Sequence, residues 1–122
     1  MRRTTQGAAG FTLMELLVVV AIIGILGAIA IPAFTSRQGK AYDARVMQDA
    51  RNVATAQEAY YTDNSGYFDG DCTLMPGVSL SPGVSCTATD LGGAFSIKTT
   101  HPQASYKSCT WTSDASPNLS CS

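Results

Sequence analysis

The chain has 122 residues, of which 45% are hydrophobic and 14% are charged, and its formal net charge is −1. This length allows one small domain, and a slightly acidic charge balance argues against a dedicated nucleic-acid-binding protein. The apolar residues are concentrated near the N-terminus, so residues 66–122 must supply most of the soluble part. That is close to the size at which a hydrophobic core alone is marginal.

Residues 1–10, MRRTTQGAAG, form a short basic leader that carries Arg2 and Arg3 and ends at Gly10. A secretory signal peptide has its small-residue cleavage site after the apolar region. Here the small residue comes first, so a peptidase that cut after Gly10 would remove the basic leader and keep the apolar segment.

Residues 11–34 read FTLMELLVVVAIIGILGAIAIPAF, and Glu15 is the only ionisable side chain among them. The uncharged stretch 16–34 is about the length that a helix needs to cross a bilayer. Arg2 and Arg3 precede it, which predicts a cytoplasmic N-terminus. A carboxylate inside a membrane is costly, so Glu15 is a candidate functional residue.

The pattern becomes amphipathic in residues 35–65. Six residues spaced by three or four share one predicted helical face: Tyr42, Val46, Ala50, Val53, Gln57 and Tyr60. Five charged residues lie mostly off that face: Asp43, Arg45, Asp49, Arg51 and Glu58. A turn cluster at 63–66 includes Gly66, which suits a helix C-terminus. The sequence therefore predicts one nearly continuous helix over residues 11–62, roughly 80 Å long, whose first half needs lipid or other subunits.

Residues 66–122 predict a β-rich head. Phe95 and Ile97 alternate with polar residues in 94–99, Cys109 and Trp111 do so in 106–111, and a short strand is expected near 119–121. We expect an α+β fold in which three or four antiparallel strands lie across the C-terminal half of the helix. Three tyrosines are expected to pack at the helix–head junction rather than to form an electron-transfer ladder: Tyr60, Tyr61 and Tyr67.

All four cysteines lie in the head: Cys72, Cys86, Cys109 and Cys121. An even count in a small exported domain predicts two disulfides, and the absence of a C-x-x-C pair disfavours a zinc site. Three connectivities are open. We favour Cys72–Cys86 with Cys109–Cys121, because each pair closes a short local loop.

We find no residue pattern for catalysis, a metal or a cofactor, and we predict that the protein is not an enzyme. The single histidine, His101, is expected to have a surface or packing role. Asp63, Asp69 and Asp71 do not match the spacing of a calcium loop, so we interpret them as a solvated acidic turn.

The N-terminal motif resembles that of type IV pilins and pseudopilins: a small residue, then Phe11-Thr-Leu-x-Glu15, then an uninterrupted apolar helix. The resemblance is specific over residues 10–34 and more general to about residue 67. It implies cleavage by a prepilin peptidase between Gly10 and Phe11 and methylation of the new Phe11 amine. A disulfide near the C-terminus is common in this family, which supports the second cysteine pair.

The resemblance also gives a role to three helix-weakening residues: Gly24, Gly27 and Pro32. The equivalent stretch of such pilins loses helical order on assembly. A kinked membrane helix whose small residues allow close packing is the alternative. Glu15 likewise has two compatible roles: pairing with the Phe11 amine of a neighbouring subunit, which we favour, or capping its own helix.

The implied function is structural: a type IV pilus subunit that moves from the inner membrane into a helical surface filament for adhesion, twitching motility or DNA uptake. The implied partners are further copies of the chain, the inner membrane, the prepilin peptidase and the assembly machinery of a Gram-negative-type cell. Binding of nucleic acid is supported only by two isolated lysines, Lys98 and Lys107. Two alternatives remain: a major pseudopilin of type II secretion, or a minor pilin with a ligand-binding head.

Overall fold

The computed structural model describes Gly7 and residues 9–122, so Arg2 and Arg3 lie outside the described residues. The chain divides into two compact units, Met1–Thr35 and Ser36–Ser122. One helix, α1 (Leu13–Asn64), contributes residues to both units, and five short strands lie in the second. The fold is therefore α+β, a long N-terminal helix with a small antiparallel sheet, as predicted.

Within the first unit, most residues of α1 are Leu, Ile, Val or Ala. The helix continues through Pro32, although proline lacks the N–H that would bond the preceding turn. The hydroxyl of Thr35 donates to the carbonyl of Pro32 at 3.0 Å, which adds a side-chain hydrogen bond to the backbone next to this weak point. The loss of helical order on assembly remains a prediction.

Within the second unit, which we call the head from here on, one face of α1 is buried. Its buried residues are Asp43, Val46, Asp49, Ala50, Val53, Ala54 and Gln57. The predicted apolar face is confirmed at Val46, Ala50, Val53 and Gln57, but the placement of two aspartates off the face is wrong. Helical periodicity puts those aspartates at the margins of the face, where head loops cover them.

The helix ends two residues later than predicted. Ser65 adopts a left-handed conformation (φ 56°) and its N–H donates to the carbonyl of Tyr61 at 2.8 Å. Asn64 adds a side-chain hydrogen bond to the carbonyl of Tyr60 at 3.0 Å. The residue with the left-handed conformation is therefore Ser65 rather than Gly66. The hydrogen bonds to the carbonyls of Tyr61 and Tyr60 offset the strain of a side chain in that conformation.

The sheet is an antiparallel meander in the order β1-β2-β3-β4-β5. Its strands are β1 (Gly70–Asp71), β2 (Ser85–Asp90), β3 (Phe95–Thr100), β4 (Cys109–Thr112) and β5 (Leu119–Cys121). The sheet has five strands where three or four were predicted, and the two strands at the start, β1 and β2, were not identified. β1 has only two residues, and β2 buries only the small side chains of Cys86 and Ala88, so neither has a strong apolar alternation.

The core lies between the buried face of α1 and one face of the sheet. Its buried members are Val53, Ala54, Cys72, Met75, Cys86, Ala88, Phe95 and Ile97. Two disulfides reinforce it, Cys72–Cys86 and Cys109–Cys121, and these are the favoured pairs. Loops of this length contribute about 3 kcal/mol each by restricting the unfolded chain.

Candidate functional site

Glu15 takes part in a hydrogen-bonded cap at the start of α1. The N–H and hydroxyl of Thr12 donate to Glu15 Oε2 at 2.8 and 3.1 Å, and the N–H of Glu15 donates to Thr12 Oγ1 at 3.2 Å. This reciprocal arrangement is a capping box, which satisfies N–H groups that lack partners within the helix. Within the single chain, Glu15 therefore has the capping role.

The cap does not use the whole carboxylate. Both bonds from Thr12 go to Oε2, so Oε1 keeps its acceptor capacity for a further donor. Glu15 also lines a small surface cleft with Ala9, Gly10 and Phe11. The carboxylate and the expected cleavage point are thus neighbours at the helix start.

The expected cleavage point is open to an enzyme. Gly10 is exposed and Phe11 retains 86% of its accessible surface. A Cβ atom built at Gly10 would meet nothing within 4 Å. The fold itself therefore places no steric demand for glycine at this position, and any such demand must come from a partner.

The apolar segment of residues 11–34 is exposed along its length. Large side chains such as Leu13, Ile29 and Phe34 each expose more than 60% of their surface. A contiguous apolar surface of this extent marks a membrane or protein interface. By length and composition, α1 is a helix that could cross a membrane.

Gly24, Gly27 and Pro32 all lie on this exposed segment. A Cβ atom at either glycine would meet nothing within 4 Å, so neither glycine is required by contacts within the chain. Each lowers helix propensity by roughly 1 kcal/mol relative to alanine. Their presence costs helix stability without a compensating contact in the chain.

In the head, two buried aspartates attach α1 to the loops. Asp43 Oδ1 accepts from the N–H groups of Ser105 and Tyr106 at 2.7 and 3.2 Å. Asp49 accepts from the N–H and hydroxyl of Ser81 at 2.8 and 3.1 Å. These bonds connect positions far apart in sequence, so local spacing gave no signal for them.

Gln57 makes a third such attachment. Its amide donates to the carbonyl of Phe68 and accepts from the N–H of the same residue, both at 2.8 Å. The side chain is fully buried, and it satisfies both backbone groups of one residue. Gln57 thus fixes the segment that leads from α1 into the sheet.

His101 has a packing role, as expected. It is buried, it stacks on Tyr42 with ring centroids 4.3 Å apart, and its Nδ1 accepts from the N–H of Gln103 at 3.0 Å. A side chain at Gly83, which has φ +83°, would come within 2.6 Å of this imidazole. Glycine is therefore needed there for both conformation and space.

The tyrosines at the helix–head junction pack with phenylalanines. Tyr60 meets Phe68 edge-on at 5.5 Å, and Tyr67 lies 4.7 Å from both Tyr61 and Phe95. Desolvation, followed by the charges of Glu58 and Asp90 and by Tyr61, raises the pKa of Tyr67. This cluster is packing material at the edge of the core, in agreement with the sequence interpretation.

Among the acidic residues near the end of α1, Asp71 bonds the local backbone. Asp71 Oδ1 accepts from the N–H and hydroxyl of Thr73 at 2.9 and 2.7 Å, and these bonds lower the pKa of Asp71. Among the described residues, no group of three or more His, Cys, Asp or Glu side chains is arranged to hold a metal ion.

The capping role of Thr12 is the functional contact that the sequence analysis missed. The signal was present, because Thr12 and Glu15 have the S/T-x-x-E spacing of a capping box directly before an apolar run. Asp43 and Asp49 were also missed, and their partners could not be found by spacing.

Comparison with known proteins supports the resemblance of the N-terminal motif to type IV pilins and pseudopilins. Residues 6–31 match the family described as the prokaryotic N-terminal methylation motif. The chain is 43% identical over 60 residues to the type IV major pilin protein of Myxococcus xanthus, which covers 49% of this chain and 27% of the relative. It is 39% identical over 70 residues to the type IV wide pilus major component of Thermus thermophilus, covering 57% and 53%.

A secretion-system protein is similar to a comparable degree. The chain is 39% identical over 67 residues to the type II secretion system core protein G of Klebsiella michiganensis, which covers 55% of this chain and 46% of the relative. The chain thus spans roughly a quarter to a half of the length of these three relatives. Their names describe pilus components and a secretion-system core protein.

The fold and the N-terminal segment define a class of protein: a small disulfide-bonded head on a long helix whose exposed apolar start fits a membrane-anchored precursor. The N-terminal segment carries the prokaryotic N-terminal methylation motif, and the chain is similar both to type IV pilins and to a type II secretion protein. This similarity supports a structural subunit of a pilus or pseudopilus.

Proposed function

We propose that the protein is the structural subunit of a type IV pilus, drawn from the inner membrane and packed into a helical surface filament. The supporting observation is the exposed apolar segment of residues 11–34 with Glu15 as its one ionisable group. Burying this surface among many copies stabilises a filament through packing and the hydrophobic effect. The partners in this proposal are further copies of the chain.

Processing prepares the segment for assembly. A prepilin peptidase cuts between Gly10 and Phe11, and the new Phe11 amine is methylated. The amine remains positively charged, so its burial in a filament core requires a partner of opposite charge. Glu15 of a neighbouring copy supplies that partner and fixes the axial position of the incoming subunit.

The capping box is compatible with this pairing. Oε2 stays with Thr12 of the same chain, and Oε1 accepts from the amine of the neighbour. One carboxylate thereby caps its own helix and also neutralises an incoming charge. We further propose that Gly24, Gly27 and Pro32 let this part of the helix unwind as the subunit leaves the bilayer.

Mass spectrometry of filaments sheared from intact cells and checked by electron microscopy tests the function. The proposal expects this chain as the main component, beginning at methylated Phe11. Processed chain in the membrane fraction with none in the surface fibres would contradict it.

The second candidate is a major pseudopilin of type II secretion, favoured by the similarity to core protein G. A minor pilin with a ligand-binding head is the other alternative. Surface location separates the pilus from the secretion filament, and abundance separates a major from a minor pilin. The proposed roles of surface fibres in adhesion, twitching motility or DNA uptake, on a Gram-negative-type cell, belong to the first candidate.

A further inference from the structure

The burial of Asp43 and Asp49 changes the surface charge of the head. Both carboxylates face inward and bind loop N–H groups. The exposed charged side chains of α1 between residues 36 and 56 are therefore all cations: Arg37, Lys40, Arg45 and Arg51. The sequence alone shows alternating signs here, and only the fold shows that one sign remains at the surface.

Contacts between α1 and the sheet give the head an axis. At one level, the hydroxyl of Thr99 in β3 donates to the carbonyl of Val46 at 3.0 Å. At another level, Phe95, at the start of β3, lines the same cleft as Ala54 and Glu58. β3 therefore runs beside α1 in the opposite direction, and positions on both elements can be assigned to either end of the head.

One end of the head, which we name the basic end, collects exposed cations. Its members are Arg37, Lys40, Arg45 and Lys107. Lys107 belongs here because it lines a cleft with His101 and Tyr106, and the N–H of Tyr106 bonds to Asp43. Asp43 shares a cleft with Lys40 and partly compensates its charge. The net positive charge of the basic end therefore comes mainly from Arg37, Arg45 and Lys107.

The opposite end, which we name the acidic end, collects exposed carboxylates. Its members are Glu58, Asp63, Asp69, Asp90 and Asp114. Asp90 pairs with Phe95 in the sheet, and the residue before Asp114 bonds the carbonyl of Phe95. One cation, Arg51, lies near this end, because it lines the same cleft as Glu58.

Stability of the single chain does not explain the position of Asp63 in this arrangement. The last turn of α1 carries Asp63 and no basic residue. A helix C-terminus is stabilised by cations and disfavours anions. Asp63 is thus placed against the preference of its own helix, which directs attention to contacts outside the chain.

We propose that copies of this chain dock head to tail, with the basic end of one copy against the acidic end of the next. The inference rests on the proposed function as a filament subunit and names the surfaces that meet. Two copies in the same orientation bring opposite charges together, whereas opposed orientations bring like charges together. A contact between different surfaces of identical copies is open-ended and generates a filament with a fixed polarity.

Crosslinking of the unaltered chain tests the contact directly. A water-soluble carbodiimide joins an amine to a carboxylate that it touches, and Lys40, Lys98 and Lys107 are the lysines of the chain. Sheared filaments and membranes are treated, and the covalent dimer is digested and sequenced by mass spectrometry. We expect Lys40 or Lys107 joined to a carboxylate of the acidic end. Dimers linked only through Lys98, or no dimers in filaments, would overturn the docking.

Charge reversal gives a second, independent test in cells that produce the full chain. Arg45→Glu and Asp63→Lys should each lower filament yield by roughly tenfold, and the double variant should recover most of the loss. Lys98→Glu changes the net charge as much as Arg45→Glu but lies in the middle of the sheet, so it should assemble like the wild type. Immunoblots of processed chain in the membrane establish that each variant is stable.

The outcomes separate this inference from the proposed function. Absence of wild-type filaments overturns the proposed function, and crosslinks in the membrane fraction then decide the docking by themselves. Filaments that tolerate both single reversals, or a double variant worse than either single variant, overturn the docking alone. Normal filaments that lose DNA binding in Arg45→Glu would assign the basic end to nucleic acid and also overturn it.

Discussion

The apolar segment of residues 11–34 and the head of residues 36–122 treat polar and apolar side chains in opposite ways. In the apolar segment, large hydrophobic side chains such as Leu13 and Phe34 are exposed. In the head, polar side chains such as Asp49 and Gln57 are buried and fully engaged. The head is completed by contacts within the chain, whereas the segment is incomplete until lipid or other copies surround it.

This difference teaches where substitutions should act. A change in the head should alter the stability of the single chain, because its contacts are made there. A change in the apolar segment should leave the single chain stable and alter processing, membrane residence or assembly. The two regions can therefore be separated by measuring both properties on each variant.

The largest expected effect is at the expected cleavage point. Gly10→Ser should abolish processing, because a side chain at this position has to fit the peptidase, although it meets nothing in the chain itself. An immunoblot should show an uncleaved, heavier band. Gly7→Ser is the matched control, since a Cβ at Gly7 also meets nothing within 4 Å. Normal cleavage of Gly10→Ser would remove the assignment of this site.

The next effect concerns Glu15. Glu15→Val should leave the chain inserted and processed but lower filament yield by roughly two orders of magnitude, because the proposed pairing makes this carboxylate the partner of the Phe11 amine in the core. Thr12→Ala removes the hydroxyl of the capping box and keeps the carboxylate, so it should assemble nearly normally. Equal losses in the two variants would mean that the cap alone matters, and a normal yield from Glu15→Val would exclude the pairing.

Loss of a disulfide should act on the head and not on the segment. Replacing Cys72 and Cys86 by serine should destabilise the chain by about 3 kcal/mol from loop closure, with a further loss because both side chains are buried. Thermal unfolding in detergent measures this. Replacing Cys109 and Cys121 should cost less, since Cys121 is only half-buried. A change in processing without a change in stability in these cysteine variants would contradict the contrast between the head and the apolar segment.

Gln57→Leu should have a smaller effect on stability. It leaves the N–H and carbonyl of Phe68 without their partner, at a cost of about 3 kcal/mol in total, offset partly by the added apolar surface. Gln48→Leu is the matched control on the exposed face of the same helix and should change stability by less than about 0.5 kcal/mol. Equal unfolding temperatures for the two variants would contradict the proposed role of Gln57.

The smallest effect is a pH dependence at Asp71. The hydrogen bonds from Thr73 lower the pKa of Asp71 in the folded chain, so the ionised form stabilises the head. This contribution is present above the unfolded pKa, about 3.9, and is lost as pH falls through the lower folded pKa. The unfolding temperatures of the wild type and Asp71→Asn should therefore converge below about pH 4. Thr73→Val should lose part of the same pH-dependent stability, because it removes one of the two hydrogen bonds to Asp71. Parallel pH profiles for the wild type and Asp71→Asn would contradict this role of Asp71.

The sequence predicted the fold class because its strongest signals are periodic. The helix, the face formed by Val46, Ala50 and Val53, and the strand around Ile97 all follow from apolar spacing. β1 and β2 were missed because two residues, or small residues such as Ala88, carry too little apolar contrast. The capping box at Thr12 and Glu15 had a readable spacing, whereas the partners of Asp43 lie more than sixty residues away along the chain.

The sequence by itself determined that the apolar segment needs lipid or other subunits around it. The apolar run is longer than a small core can bury, and it carries one carboxylate near its start. Local composition suffices for that conclusion because hydrophobicity is additive along a helix. Only the tertiary structure decided which charges remain at the surface. Asp43 and Asp49 turn inward because loop N–H groups arrive there in the folded head, and long-range hydrogen bonds of this kind leave no periodic trace in the sequence.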